Sequence, residues 1–196
     1  MEYQHILALL TFAFVSTASP GPNNIMLMTS GANVGVKQTV PHMAGIVIGF
    51  AVMVILVGVG LMGMFTRYPM LHQGMQFVSI AYLVYLAWKI ARSRAEAQSF
   101  DGFKPMSFIA AANFQWVNPK AWSMAITAIS VYNVTANWQG VLLVSLAFTV
   151  VNVPSVLIWT VAGKQLQLLL TNPKRIQGFN YSMAALLLIA VLPMLG

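Results

Sequence analysis

Hydrophobic residues run almost unbroken through six stretches of the chain, roughly 5–31, 40–64, 69–91, 105–131, 138–162 and 177–195. Each is about 18 to 27 residues long, enough for a helix to cross a hydrocarbon layer about 30 Å thick. Turn-forming and charged residues punctuate them at Val40-Pro41, Arg67-Tyr68-Pro69, Lys89 to Lys104, Asn133 to Trp138 and Thr171 to Gly178. The pattern predicts an all-α membrane protein of six transmembrane helices in a single domain over residues 1–196. The longest polar break, 92–104, divides it into residues 1–91 and 105–196, with three spans each. An odd number of spans per half makes the halves enter the membrane from opposite sides, the arrangement of an inverted repeat.

Two of the spans are interrupted, at matching places. Span one carries Ser19-Pro20-Gly21-Pro22-Asn23-Asn24 at its middle, and span four carries Asn118-Pro119-Lys120. Each span is about 27 residues, or roughly 40 Å as helix, so both interruptions fall near the bilayer midplane. An interior proline costs a helix about 3 kcal/mol and drives the preceding residue out of the α region. Those preceding residues are Ser19 and Asn118, both good N-caps, and proline suits the first helical position. Each interruption therefore reads as the end of one half-helix and the capped start of another. Two half-helix starts meeting at the midplane would present N–H groups and positive dipole ends to an anion such as a carboxylate. The carbonyls left free near Ser16 to Ala18 and Gln115 to Val117 could accept from an ammonium. A proline kink that only shapes packing is the simpler account of either break alone. The matching pair favours a transporter's binding site.

Charge fixes the expected direction. Residues 37, 89, 92, 94, 104, 164, 174 and 175 place eight of the ten Lys and Arg residues on one side of a six-span layout. Only Arg67 lies opposite, and Lys120 lies within a span. By the positive-inside rule the 92–104 linker is cytoplasmic and both termini face outward. This topology accounts for the net charge of +7 without a nucleic-acid partner. With 59% hydrophobic and only 7% charged residues, and a mean hydropathy of +0.77, the chain lacks the material for a water-soluble surface. A removable signal is disfavoured, since no Lys or Arg precedes residue 37.

Lys120 is the only charge well inside a span, and placing it there costs at least about 2.5–3.5 kcal/mol. Two roles remain open for it: partner of a substrate carboxylate, or fixed structural charge. Asn113, Trp116 and Lys120 would share a face of a regular helix. Asn152, beside Pro154 in span five, either lines a cavity or bonds to a neighbouring helix. Gly45 and Gly49 form a GxxxG face for close packing within the fold or for a homodimer contact. Trp88, Tyr132 and Trp138 sit near span ends as interfacial aromatics, and the thirteen methionines fill packing gaps. The acids, Glu2, Glu96 and Asp101, all lie outside the spans, so no buried carboxylate is visible as a proton carrier, and His42 is a weak candidate. The chain has no cysteine, and its histidines, His5, His42 and His72, have no ligand spacing. No metal or cofactor is therefore expected.

SPGPNN in span one, VNPKAW in span four and the six-span layout with a basic cytoplasmic loop together resemble the LysE/RhtB family of bacterial amino-acid exporters, over essentially the whole chain. Within it the chain looks most like the branch that includes cysteine and O-acetylserine exporters. The resemblance implies an inner-membrane protein that moves amino acids or their derivatives out of the cytoplasm, driven by the proton gradient. It carries the family motif onto Pro20, Gly21, Pro22, Asn23, Asn118, Pro119 and Lys120. One position departs: Asn152 stands where many relatives carry an acid in span five, which removes a carboxylate-based coupling route or moves it elsewhere.

The expected function is a secondary transporter for a small zwitterionic amino acid. Pro20 to Asn24, Asn113, Asn118, Pro119, Lys120 and Asn152 would form its substrate site, and one three-span repeat would rock against the other. A passive channel and a structural membrane subunit are the alternatives. An intramembrane enzyme is disfavoured, because the spans hold no cysteine, acid or paired histidine.

Overall fold

Residues 3–61, 69–93, 103–133, 137–170, 172–190 and 192 are described by the computed structural model. They form helices α1 (Tyr3–Ala18), α2 (Pro22–Leu56), α3 (Pro69–Arg92), α4 (Phe108–Val117), α5 (Pro119–Tyr132), α6 (Trp138–Gln167) and α7 (Pro173–Ile189). A π-helical turn, Val57–Leu61, extends α2. No strand occurs among the described residues.

Asparagine and serine side chains start several of these helices. Ser107, Asn118, Asn137 and Asn172 accept from the backbone N–H of Ala110, Lys120, Gly140 and Arg175 respectively. Each satisfies a first-turn donor that has no partner inside the helix. With Asn172 as cap and Pro173 in the first position, α7 begins within the stretch 171–178 that reads as a connection.

α2 is two helical segments joined at Gly35, whose φ of 76° and ψ of −180° lie in a region open essentially to glycine alone. Before Gly35 the chain runs parallel to α6: Asn24 shares a cavity with Asn152, and Gly31 lies against Thr160 and Lys164. After it the chain runs antiparallel: Ser145 Oγ donates to the Ala51 carbonyl at 3.1 Å, and Gly58 lies against Val141. The reversal expected at Val40-Pro41 thus takes place five residues earlier. Pro41 stays inside the second segment, because glycine supplies the turn and proline cannot.

Two clusters carry most of the core, and each joins one half of both interrupted spans. Leu9 and Ala13 of α1 pack with Ala121, Ala125 and Ala128 of α5, Phe50 and Met53 of α2, and Phe148 of α6. Ile25 and Met26 of α2 pack with Phe114 of α4, Leu83 and Leu86 of α3, and Leu187 of α7. The interruptions lie between the clusters. Gly45 and Gly49 let α2 approach α4, where a Cβ would strike Phe108 and Ala111 or Ala112. That face is consumed by packing within the chain and is not free for a homodimer.

The outside is as apolar as the inside. Leu146, Val150, Val153, Leu157 and Val161 make an exposed stripe along α6. A helix whose outward face is apolar while Ser145, Asn152, Ser155 and Thr160 are buried suits a lipid surround. By length and composition Trp138–Leu166 can cross a membrane, and so can Pro22–Gly60, which Gly35 divides into two segments. At one end Asn33 Nδ2 donates to Asn180 Oδ1 at 3.1 Å, and Asn180 Nδ2 donates to Ser93 Oγ at 3.1 Å. These bonds tie α2, α3 and α7 together where Lys37, Lys89, Arg92, Lys164 and Arg175 gather.

Candidate functional site

The site begins with the backbone of the two interruptions. α1 ends at Ala18, and α2 starts at Pro22 with Gly21 at its cap position in extended conformation (φ 178°, ψ 175°) and no side-chain cap. The sequence suggests Ser19 as that cap. Ser19 does not serve, because a residue before proline is held out of the α region. Gly21 precedes Pro22, so no helix can start at Pro20. Ser19 Oγ instead donates back to the Ser16 carbonyl at 3.0 Å. In span four only Asn118 leaves the helical region (φ −93°, ψ 109°), and its Oδ1 accepts from the Lys120 N–H at 3.1 Å, as its sequence position suggests.

Across the gap the two interruptions exchange side chains. Asn23, in the first turn of α2, donates through Nδ2 to Gln115 Oε1 at 2.9 Å and accepts from Gln115 Nε2 at 3.3 Å. Lys120, in the first turn of α5, donates through Nζ to the Ser19 carbonyl at 2.6 Å, Ser19 Oγ at 2.8 Å and the Pro20 carbonyl at 3.3 Å. Each second half-helix therefore sends the residue after its first-turn proline to the end of the other span's first half-helix. The Lys120 ammonium lies at the carbonyl end of α1, where the helix dipole is negative. A Cβ on Gly21 would come within 2.7 Å of Lys120 Cδ, so glycine is what lets the lysine lie along the linker.

Several of the carbonyls freed by the breaks are taken up internally. Asn24 Nδ2 donates to Thr17 O at 2.7 Å and Ser19 O at 2.8 Å. Trp159 Nε1 donates to Ala18 O at 3.0 Å, and Trp122 Nε1 donates to Trp116 O at 2.8 Å. The Lys120 ammonium takes the next two carbonyls, those of Ser19 and Pro20, rather than those of Ser16 to Ala18.

Between the interruptions lies a cavity of about 20 Å³. Its polar lining is Thr17, Asn23, Asn24, Gln115, Asn118, Lys120 and Asn152, with Gly21, Ile46, Phe50 and Met124 completing the wall. Such a space holds about one water molecule. Of the residues singled out from sequence, Gly21, Asn23, Asn24, Asn118, Lys120 and Asn152 come together here. Asn152 therefore lines the cavity. Pro20 is exposed, Pro119 is half-buried, and with the buried Pro22 they shape the backbone without lining the space. Asn113 is exposed and stays outside: α4 buries Ala111, Phe114 and Gln115, and residue 113 falls off that stripe. Thr17 and Gln115 are additions. Their signal in the sequence is a polar side chain within three residues of each break.

Amide and hydroxyl groups that both donate and accept, with one fixed cation, can hold a small polar solute but offer no nucleophile–base pair. No group of metal-ligating side chains occurs among the described residues. A helical chain with an apolar exterior and a polar chamber where two interrupted helices meet is built as a membrane transporter, not an enzyme. The chain belongs to the LysE type translocator family, whose model matches residues 14–193. Among similar proteins, a cysteine/O-acetylserine efflux protein of Klebsiella pneumoniae is 28% identical over 187 residues, covering 93% of this chain and 92% of the relative. Cysteine/O-acetylserine efflux proteins of Escherichia coli K12 and Salmonella choleraesuis are each 29% identical, covering 82% of this chain and 83% of the relative. No solved structure matches the chain.

Proposed function

We propose that the chain exports a small amino acid or amino-acid derivative from the bacterial cytoplasm, by alternating access around the cavity between the two interruptions. The reciprocal exchange, Asn23 with Gln115 and Lys120 with Ser19, carries this reading. Six membrane passes follow from α1 with the first segment of α2, its second segment, α3, α4 with α5, α6 and α7. The passes form two inverted repeats, residues 1–91 and 105–196, joined by the linker 92–104. The basic end faces the cytoplasm of the inner membrane, both termini face outward, and lipid covers the apolar exterior.

A cavity with room for about one water cannot hold an amino acid, so the protein must open to load and release. Closure of this kind supports a carrier over a permanently open pore. The amide groups of Asn23, Asn24, Gln115 and Asn152 would hold the ends of the zwitterion once the interruptions part. The uncapped start of α2 would take the carboxylate. The names of the relatives make cysteine and O-acetylserine the first substrates to try, and the proton gradient is the proposed driving force.

The test is efflux from vesicles loaded with radiolabelled cysteine or O-acetylserine. Saturation and counterflow are expected, with loss on Asn23→Ala and slowing when an uncoupler collapses the gradient. Flux that rises linearly with substrate would make the protein a pore. Unchanged efflux in a well-inserted Asn23→Ala chain would remove the assigned site, and indifference to the uncoupler would remove proton drive.

A further inference from the structure

A second cavity lies one helical turn nearer the basic end, between the same two segments of α2. Asn23 and Ile46 line the first cavity, and Met26 and His42 line the second. The separations are three and four residues, or about 4.5 and 6 Å of rise. The second cavity is larger, about 170 Å³. An engineered apolar cavity of about 150 Å³ admits benzene, so this one has room for a solute of six or seven heavy atoms.

Its described lining is basic at one end. Lys89, Arg92 and Lys104 line it with exposed side chains, so it opens at that end, and no acidic residue occurs among the described residues of its lining. Deeper in, His42 is only 1% exposed, and its Nδ1 lies 3.4 Å from Ser30 Oγ while its Nε2 has no partner among the described residues. A buried polar atom left unpaired is costly, and the cost is recovered if a ligand supplies the partner. Met26, Leu86 and Ile90 give the remaining wall an apolar surface. Cations at the mouth, an unpaired imidazole nitrogen on the wall and apolar side chains between them describe a receptor for a short organic carboxylate.

We propose that this cavity is a loading site, where the carboxylate of the solute is held before it reaches the central cavity. The proposal rests on the exporter reading for its role in transport, but its ligand chemistry stands apart from that reading. Lys89 and Arg92 hold the carboxylate, and His42 Nε2 pairs with a polar group at the inner end. Met26, which lines the second cavity one turn from Asn23, stands on the path between the two.

The chain contains no cysteine, so one introduced thiol reports on one place. Ser30→Cys and, separately, Met106→Cys put a thiol in the second cavity, with gel filtration and thermal melting checking that each chain is folded. The probes are an anionic and a cationic methanethiosulfonate, with propionate and its uncharged isostere propanamide as protectants, in vesicles of zwitterionic lipid. The anionic reagent is expected to react at least about 10-fold faster than the cationic one, the low end of electrostatic focusing in a charged cleft. Propionate should slow the reaction and propanamide should not. Lys89→Ala with Arg92→Ala should abolish both effects.

Equal rates for the two reagents, or equal protection by propionate and propanamide, overturns the proposal. Protection that comes only from added phosphatidylglycerol assigns the cavity to a lipid headgroup and also overturns it. Because none of these readouts measures transport, they fail or succeed independently of the vesicle efflux that tests the exporter reading.

Discussion

Lys120 and Ser19, 101 residues apart in sequence, are joined by two hydrogen bonds, from Nζ to the serine carbonyl at 2.6 Å and to its hydroxyl at 2.8 Å. A cation between the two interruptions is thereby paired with the negative end of α1, with no acidic residue among the described residues. The arrangement also ties the start of α5 to the end of α1, so the first half of one interrupted span holds the second half of the other.

Removing that cation should first be felt as lost stability. Lys120→Ala leaves the Pro20 carbonyl without its Lys120 hydrogen bond and removes one of two donors to the Ser19 carbonyl, at a cost of about 1–3 kcal/mol. Thermal unfolding in detergent should show a lowered Tm, with partial recovery in Lys120→Arg, which keeps the charge. A Lys120→Ala chain with unchanged Tm and no efflux would instead assign the lysine to substrate.

The positions of both interruptions are legible in the sequence, because proline acts locally: it removes its own N–H and constrains the residue before it. What each side chain reaches across the gap is not legible, since that depends on how two distant helices are set against each other. Asn113 shows the limit. Its spacing to Lys120 suits a continuous helix, but the break at Asn118 lies between them, and the buried stripe of α4 runs through Ala111, Phe114 and Gln115. Gln115 contributes its side chain to the site, although the sequence draws attention only to its carbonyl. The reversal at Gly35 is hidden for a similar reason: Pro41 is the stronger local signal, yet only glycine reaches the backbone angles the turn requires.

The Asn23–Gln115 pair should show measurable coupling. Asn23→Ala, Gln115→Ala and the double variant form a thermodynamic cycle read by thermal unfolding in detergent. Side-chain hydrogen bonds inside membrane proteins average about 0.6 kcal/mol and reach about 1.7. Two bonds in one reciprocal pair place the expected coupling toward the upper part of that range. A coupling energy of zero would mean that the contact does not hold the two interruptions together.

Glycine substitutions separate conformational strain from collision. At Gly35 a Cβ would meet nothing within 4 Å among the described residues, so the cost of Gly35→Ala is conformational, about 1–3 kcal/mol. At Gly31 and Gly163 the new Cβ would strike the backbone of Thr160 and Met28, and overpacking of this kind also costs about 1–3 kcal/mol. Gly74 meets neither obstacle within α3 among the described residues, so Gly74→Ala should leave Tm unchanged or slightly raised. Melting the four variants side by side checks the assignment, and a Gly35→Ala chain as stable as Gly74→Ala would mean that the two segments of α2 are joined differently.

The orientation can be read with single thiols in the cysteine-free chain. Lys37→Cys and Lys174→Cys lie at the basic end, and Gln139→Cys lies at the opposite end, one residue after the start of α6 at Trp138. The excess of Lys and Arg at one end predicts that this end is cytoplasmic. A membrane-impermeant maleimide added to intact spheroplasts should therefore label Gln139→Cys, and should label the other two only after permeabilisation. The reverse pattern would turn the molecule over and make the second cavity an exit chamber. Labelling of Lys37→Cys and Gln139→Cys from the same side would break the six-pass topology, and with it the convergence of the two interrupted spans from opposite faces of the membrane.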